Sequence, residues 1–211
     1  MATATKTRTR RTASREERRR QLIDATMKCI ARKGLSNTSI GDVATEAGLS
    51  QGIVNLHFDS KDNLLTETLR SLANEYLAVF DKTLAKAGPH PADALLALLA
   101  MDLRPKLLDR KKLAIWFAFW GEVQSRPTYR KICDEYDRYY DSEVERLCTE
   151  IIKDGGYDVD PAAAAEALTS MTNGLWLSCL VSPKDFDRDT AMDAIMSYLT
   201  NVFPNHFERT A

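Results

Sequence analysis

Residues 40–58 read IGDVATEAGLSQGIVNLHF, and this stretch carries the clearest structural signal in the chain. The apolar residues of its first half recur at i, i+3, i+4 and i+7, which is the spacing of one helix face: Ile40, Val43, Ala44 and Ala47. Gly48 can adopt the positive φ that ends a helix, and Ser50 can cap the helix that follows. Two short helices joined by such a turn predict a helix-turn-helix, whose second helix enters the major groove of DNA.

Helix start and stop signals continue along the whole chain, and no stretch alternates as a strand would. A capping box at Ser14–Glu17 begins helix 1, which stops at Gly34, and a second box begins helix 2 at Ser39. The remaining helices are predicted at residues 51–58, 61–87, 92–104, 110–124, 128–154, 161–181 and 188–202. The prediction is an all-α fold of about nine helices, with an N-terminal helix-turn-helix head and a C-terminal helical body.

Charge is distributed unevenly along the chain, although the formal net charge is only −1. Residues 1–62 carry 12 lysines and arginines against 7 aspartates and glutamates, whereas the rest carries 17 against 23. A basic head suits a polyanionic partner, and an acidic body does not. We therefore divide the chain into a disordered basic arm at residues 1–13, a DNA-binding head at residues 14–62 and a body at residues 63–211. The arm is either a solvated tail or a segment that enters the minor groove.

Several classes of protein are not supported by the sequence. The four cysteines are not spaced as metal ligands, which favours buried, reduced thiols: Cys29, Cys133, Cys148 and Cys179. No nucleophile–base constellation or Gly-rich phosphate loop is present, so we expect no enzyme, no metal and no cofactor. The N-terminus lacks the apolar core of a signal peptide, and no apolar stretch is long enough to span a membrane. We expect a cytoplasmic protein.

The head resembles the TetR family of bacterial repressors. The residues that carry the resemblance run from Thr38 to Ser50 and from Gly52 to Phe58, followed by Ser60-Lys61. Inside the recognition helix the sequence departs from the family, because Asn55-Leu56-His57 stands where two aromatic residues are common. The resemblance implies a homodimer that binds a palindromic double-stranded DNA operator.

Three further segments resemble the choline-responsive repressors of betaine synthesis (BetI type). They are residues 18–26, RRRQLIDAT; residues 115–120, IWFAFW; and residues 173–177, NGLWL. The last two lie in the body, where family members diverge most. The resemblance implies that the body is a ligand-binding and dimerisation domain. It also implies that a small-molecule effector, choline or another cationic amine, controls genes of choline and glycine betaine metabolism.

Candidate DNA contacts follow from helix termini and side-chain chemistry. Gln51 and Asn55 are the candidate base readers, because an amide side chain can bond adenine through two hydrogen bonds, and Gly52 lets the helix approach the DNA. Helix N-termini bind phosphate. The candidates at such termini, or assigned to phosphate by family resemblance, are Thr38, Ser39, Ser50, His57 and Lys61.

The candidate effector site is a set of aromatic residues in the body. Rings attract a quaternary ammonium group through their π faces, by about 0.5–2 kcal/mol each. The candidates are the aromatic residues Trp116, Phe119, Trp120, Tyr139 and Trp176, together with Asn173. A carboxylate could add attraction, from Asp102, Glu122 or Asp137. The alternative is that these rings form an ordinary aromatic core.

The last two predicted helices carry more apolar residues than one face requires, and the family pairs these helices with those of a second subunit. The sequence thus predicts a homodimeric, ligand-responsive repressor of choline and glycine betaine metabolism. The alternative is a TetR-type regulator that senses another amine or a lipophilic compound, for example in efflux control. An enzyme with a helical pocket and a non-specific architectural DNA binder are the rival classes. The first lacks a catalytic constellation, and the second does not need an acidic body.

Overall fold

The computed structural model describes the backbone of residues 4–208 and the side chains of residues 15–208. The regular structure of this part is entirely helical and comprises nine helices: α1 (Ala4–Lys33), α2 (Ile40–Ala47), α3 (Gln51–His57), α4 (Lys61–Lys86), α5 (Pro91–Asp102), α6 (Arg110–Trp120), α7 (Pro127–Gly155), α8 (Pro161–Val181) and α9 (Arg188–Val202). The predicted all-α fold is confirmed for the described residues.

Most helix boundaries follow the predicted capping residues. Ser39 and Asp42 form a reciprocal capping box at α2. The Ser60 hydroxyl accepts the amide of Asn63 at 3.0 Å, and the Asp160 and Asp187 carboxylates accept backbone amides at the starts of α8 and α9. These bonds satisfy amides that have no partner inside the helix.

Several predictions about helix ends differ from the structure. Helix α1 begins at Ala4, so Ser14 lies within it rather than at its start; the side chains of residues 1–14 lie outside the described set, and the basic arm stays a prediction. Ser50 stands at the N-cap of α3, but its side chain makes no capping bond. Helix α6 ends at Trp120 because the chain then tightens into turns, in which the amide of Glu122 bonds the carbonyl of Phe119 at 3.0 Å.

The chain forms two compact units. The head unit combines the residues up to Ala73 with the segment Ala114–Ile132, and the body unit combines Asn74–Leu113 with the residues from Cys133 onward. The predicted division placed the segment 114–132 in the body, whereas its contacts assign it to the head unit. The single helix α4 contributes to both units, since it runs through the boundary at Ala73.

Each unit has its own apolar core. In the head unit, Leu22 and Cys29 of α1, Val43 of α2 and Val54 and Phe58 at α3 are buried together. In the body unit, Phe80, Leu98, Leu147, Ile195 and Phe203 are among the side chains that form a larger core. The four cysteines are buried thiols that form no disulfide bond with one another, as the sequence predicted.

Gly48 ends α2 in the left-handed conformation, with φ 66° and ψ 33°, and its amide bonds the carbonyls of Ala44 and Thr45. A Cβ atom here meets no other atom within 4 Å, so a substitution at this position is opposed by backbone strain alone.

We predict that Gly48→Ala lowers the free energy of unfolding by about 1 kcal/mol, and that Gly48→Asn lowers it by less, since asparagine tolerates this conformation better. Urea unfolding followed by circular dichroism measures both variants. Equal stability of Gly48→Ala and the parent protein would show that the turn does not require glycine.

Candidate DNA-binding surface and effector site

Helix α3 has a buried face and an exposed face. Val54 and Phe58 are fully buried, which fixes the rotation of the helix about its axis. Gln51 and Asn55, four residues apart, lie on the exposed face together with Gly52. The two predicted base readers are therefore on the side of α3 that is free to meet a partner.

Leu56 was not among the predicted contacts, yet its side chain is 71% exposed on α3. It lies two residues from each of the core residues Val54 and Phe58, and residues two apart do not share a helix face. Helical spacing therefore places it on the exposed side of α3. An exposed leucine on this face can contact the C5 methyl group of thymine, a form of base recognition that needs no hydrogen bond.

Arg19 of α1 supports the C-terminal end of α3. Its guanidinium donates to the His57 carbonyl at 3.4 Å, forms an ion pair with Glu67 and lies 4.6 Å from the centre of the Phe58 ring. The unpaired carbonyls at a helix end require donors, and Arg19 supplies one. Sequence reasoning missed this residue, because its partners lie far along the chain.

His57 is partly buried beside a cluster of positive charges. Burial lowers its pKa from the ordinary value, and the charges of Arg15, Arg19 and Arg18 lower it further. The imidazole is therefore neutral at pH 7. A DNA phosphate beside it would reverse the effect of the arginines, so this corner of the head suits an anion.

The other predicted phosphate contacts differ in their accessibility. Ser39 is exposed, although its hydroxyl is engaged with Asp42 at 2.7 Å. Ser50 is exposed, and its side chain makes no capping bond. The Lys61 ammonium donates to the Ser36 carbonyl at 3.3 Å. Thr38, predicted to meet phosphate from a helix N-terminus, is buried; its hydroxyl donates to the Gly34 carbonyl at 2.9 Å and its amide to the Leu35 carbonyl at 3.3 Å.

Three of the six predicted effector residues lie in the head unit. The Trp116 and Trp120 rings are 6.2 Å apart, and Phe119 packs edge-on against Tyr129 at 5.1 Å. Phe119 is fully buried in the head unit, and its role as an effector contact stays a prediction. Glu122, one of the three candidate carboxylates, accepts the hydroxyls of Ser125 and Ser36.

Trp176 lies in the body unit beside a buried carboxylate, Asp102. Tyr76 and Tyr140 donate their hydroxyls to the two carboxylate oxygens of Asp102 at 2.8 and 3.0 Å. The Trp176 indole donates to the Asp102 carbonyl at 3.0 Å, and its ring meets Tyr76 edge-on at 5.7 Å. We call these four residues, Tyr76, Asp102, Tyr140 and Trp176, the Asp102 box.

The environment of the box shifts the pKa of each of its acids. Burial raises the pKa of Asp102 to about 7, although the two tyrosine hydrogen bonds oppose the shift. Burial and the nearby Asp102 charge raise the pKa of Tyr76 and of Tyr140 well above the ordinary value. Both tyrosines are therefore neutral donors, and Asp102 is the group of the box that titrates near neutral pH.

Two predicted effector residues and one candidate carboxylate lie on the surface of the body unit. Tyr139 is 40% exposed and donates its hydroxyl to Asp81 at 3.0 Å. Asn173 is exposed on α8, and Asp137 is exposed on α7. Of the three candidate carboxylates, Asp102 is the one that the structure surrounds with aromatic rings.

Two features of other functional classes are absent from the part of the chain that the structure describes. Among residues 15–208, no group of three or more histidine, cysteine, aspartate or glutamate side chains could hold a metal ion. No described helix is both long and apolar enough to cross a membrane.

Comparison with protein families matches both parts of the chain. Residues 22–68 match the family described as bacterial regulatory proteins, tetR family, and residues 91–204 match the C-terminal domain of BetI-type transcriptional repressors. The HTH-type transcriptional regulator BetI of Burkholderia thailandensis is 34% identical over 188 residues, covering 88% of this chain and 93% of that protein. BetI of Paraburkholderia phymatum is 33% identical, covering 88% and 92%.

Solved structures show the same architecture. A transcriptional regulator from Pseudomonas aeruginosa PAO1 superimposes with a TM-score of 0.81 at 26% identity, covering 92% of this chain and 95% of the other. A regulator from Saccharomonospora viridis in complex with choline gives a TM-score of 0.79 at 25% identity, covering 92% and 100%. The agreement extends over head and body alike, and this chain belongs to the TetR family of bacterial transcriptional regulators, with a C-terminal domain of the BetI repressor type.

Proposed function

We propose that this protein is a homodimeric repressor that binds a palindromic operator, responds to choline and controls choline and glycine betaine metabolism in the cytoplasm. The observation that carries the proposal is the likeness to BetI regulators over the body as well as the head. The C-terminal body of such a regulator binds the effector, so sequence similarity in the body supports a similar effector for this protein. The choline held by the Saccharomonospora viridis regulator supports the same conclusion.

The exposed face of α3 supports operator reading by direct contact. The side chains of Gln51 and Asn55 offer amide groups for base edges, and Leu56 offers an apolar surface. Lys61 and the arginines near His57 supply positive charge for the backbone on either side. Two such heads on a dimer would read two half-sites one helical turn apart.

We predict different effects for a base reader and a phosphate contact. Asn55→Ala should weaken operator binding by about 1–3 kcal/mol and relax base preference at one position in each half-site. Lys61→Ala should weaken binding to all duplexes alike and reduce the slope of log affinity against log salt by about 1. Fluorescence anisotropy with operator and scrambled duplexes over a salt series measures both variants. Unchanged base preference in Asn55→Ala would remove that residue from the readers, and equal affinity of the parent for both duplexes would contradict the repressor.

The exposed apolar residues of α8 support the proposed dimer. Leu177 is 46% exposed and Val181 is 69% exposed, and the two lie four residues apart on one face. Large apolar side chains exposed together mark an interaction surface.

We predict that Leu177→Glu combined with Val181→Glu shifts the protein from dimer to monomer, because two carboxylates cannot be buried in an apolar interface without cost. Sedimentation velocity measures the change. Leu56→Glu is the control, since it places a carboxylate on an exposed leucine of the head; it should weaken DNA binding and leave the dimer intact. A dimer that persists in the double variant would place the interface elsewhere.

The response to choline is predicted to depend on charge. Choline should lower operator affinity in a saturable way, because an effector acts only through its different affinities for the two states of the repressor. The neutral isostere 3,3-dimethylbutanol has the same shape and should have no effect. Operator binding is measured by anisotropy during titration with each compound. Specific operator binding with no response to millimolar choline would retain the repressor and discard choline as its effector.

A further inference from the structure

Asp102 is buried without a positive partner. It is the one charged side chain in residues 15–208 that is buried, and its exposed fraction is 0%. No lysine, arginine or histidine of this part of the chain forms an ion pair with it, and its hydrogen-bond partners are neutral. Proteins rarely bury a carboxylate in this way, because removal of the charge from water is costly unless a counter-charge compensates.

The groups around Asp102 present negative surfaces. The hydroxyls of Tyr76 and Tyr140 direct their hydrogens to the two carboxylate oxygens. The rings of both tyrosines and of Trp176 add negative π faces. A metal ion or a primary amine would compete with the tyrosines for the carboxylate oxygens. A quaternary ammonium has no N–H group and needs only a negative enclosure, so it leaves both tyrosine hydrogen bonds in place.

We propose that the Asp102 box is the site that takes the quaternary ammonium group of the effector, with the Asp102 carboxylate as its counter-ion. This assignment rests on the proposed function, and it deepens that function by naming the residues that recognise the cation. Tyr76 is the partly exposed member of the box, whereas Asp102, Tyr140 and Trp176 are buried. The cation therefore enters on the side of Tyr76.

The assignment couples binding to the loss of a proton. Burial raises the pKa of Asp102 to about 7, and a cation favours the ionised form, so protonated Asp102 must release its proton before the cation binds. Besides the tyrosines, the charged groups near the box are Asp137 and Asp141 of α7, which affect Tyr76 and Tyr140. The pKa of Asp137 is itself raised to about 6, by desolvation and by the charges of Asp141 and Asp134, so Asp137 needs its own control.

The first test measures affinity at pH 7.5 by isothermal titration calorimetry, with choline and tetramethylammonium as ligands. Asp102→Asn keeps the size of the side chain and removes its charge, and it should weaken both ligands roughly tenfold or more. Asp81→Asn is the matched control, because Asp81 is an exposed carboxylate in the same unit that also accepts a tyrosine hydroxyl. It should leave both affinities within about twofold of the parent value.

The second test measures choline affinity from pH 5.5 to 8.5. Parent affinity should rise with pH by up to about tenfold per unit below the pKa of Asp102 and become constant above it. Tyr140→Phe removes a donor that stabilises the carboxylate, so the midpoint should move to higher pH; this variant also serves if Asp102→Asn does not fold. Asp137→Asn should keep the parent profile.

These experiments distinguish failure of the proposed binding site from failure of the proposed function. If the parent responds to choline while Asp102→Asn retains the parent affinity and pH profile, the assignment of the box is overturned and the proposed function stands. If the parent binds neither cation, the box is likewise overturned, while operator binding still decides whether the protein is a repressor. Loss of affinity in Asp81→Asn equal to that in Asp102→Asn would show a general effect of charge and would also overturn the assignment.

Discussion

One buried residue, Asp102, connects four helices of the body. It lies at the end of α5; Tyr76 of α4 and Tyr140 of α7 bond its carboxylate, and Trp176 of α8 bonds its backbone carbonyl. An unsatisfied buried carboxylate is among the most costly features that a protein core can contain, so α4 and α7 must each supply a donor in the right place. The surrounding apolar core provides most of the favourable free energy, but it is far less directional than this set of hydrogen bonds.

The head is subject to a different constraint, because its recognition helix, α3, is short. A helix as short as α3 is not stable alone, and it persists because Val54 and Phe58 are buried against α1 and α2. Arg19 adds a donor and an ion pair at the far end. The same contacts that stabilise α3 also fix which of its side chains are exposed. Stability and DNA-reading geometry therefore have one physical origin in this part of the protein.

The sequence predicted those features that depend on local chemistry. Capping residues such as Ser39, Asp160 and Asp187 marked helix starts, and Gly48 marked the turn, because each acts within a few residues of its own position. Features that depend on distant contacts were not predictable. Tyr76 was missed because nothing in its local pattern shows that Asp102 lies beside it, and the contact of Phe119 with Tyr129 is equally invisible in its own helix. Leu56 is different, because its spacing from Val54 and Phe58 alone places it on the exposed face of α3.

A carboxylate as counter-ion has a consequence for the selection of metabolites. Choline and glycine betaine share the trimethylammonium group, so a purely aromatic enclosure would accept both of them. Glycine betaine also carries a carboxylate close to that group, and Asp102 would repel it across a medium of low polarity. A box that takes the cation as we propose therefore separates choline from glycine betaine by the charge at the far end of the molecule, without a steric barrier. Such a site responds to the concentration of choline whatever the concentration of glycine betaine.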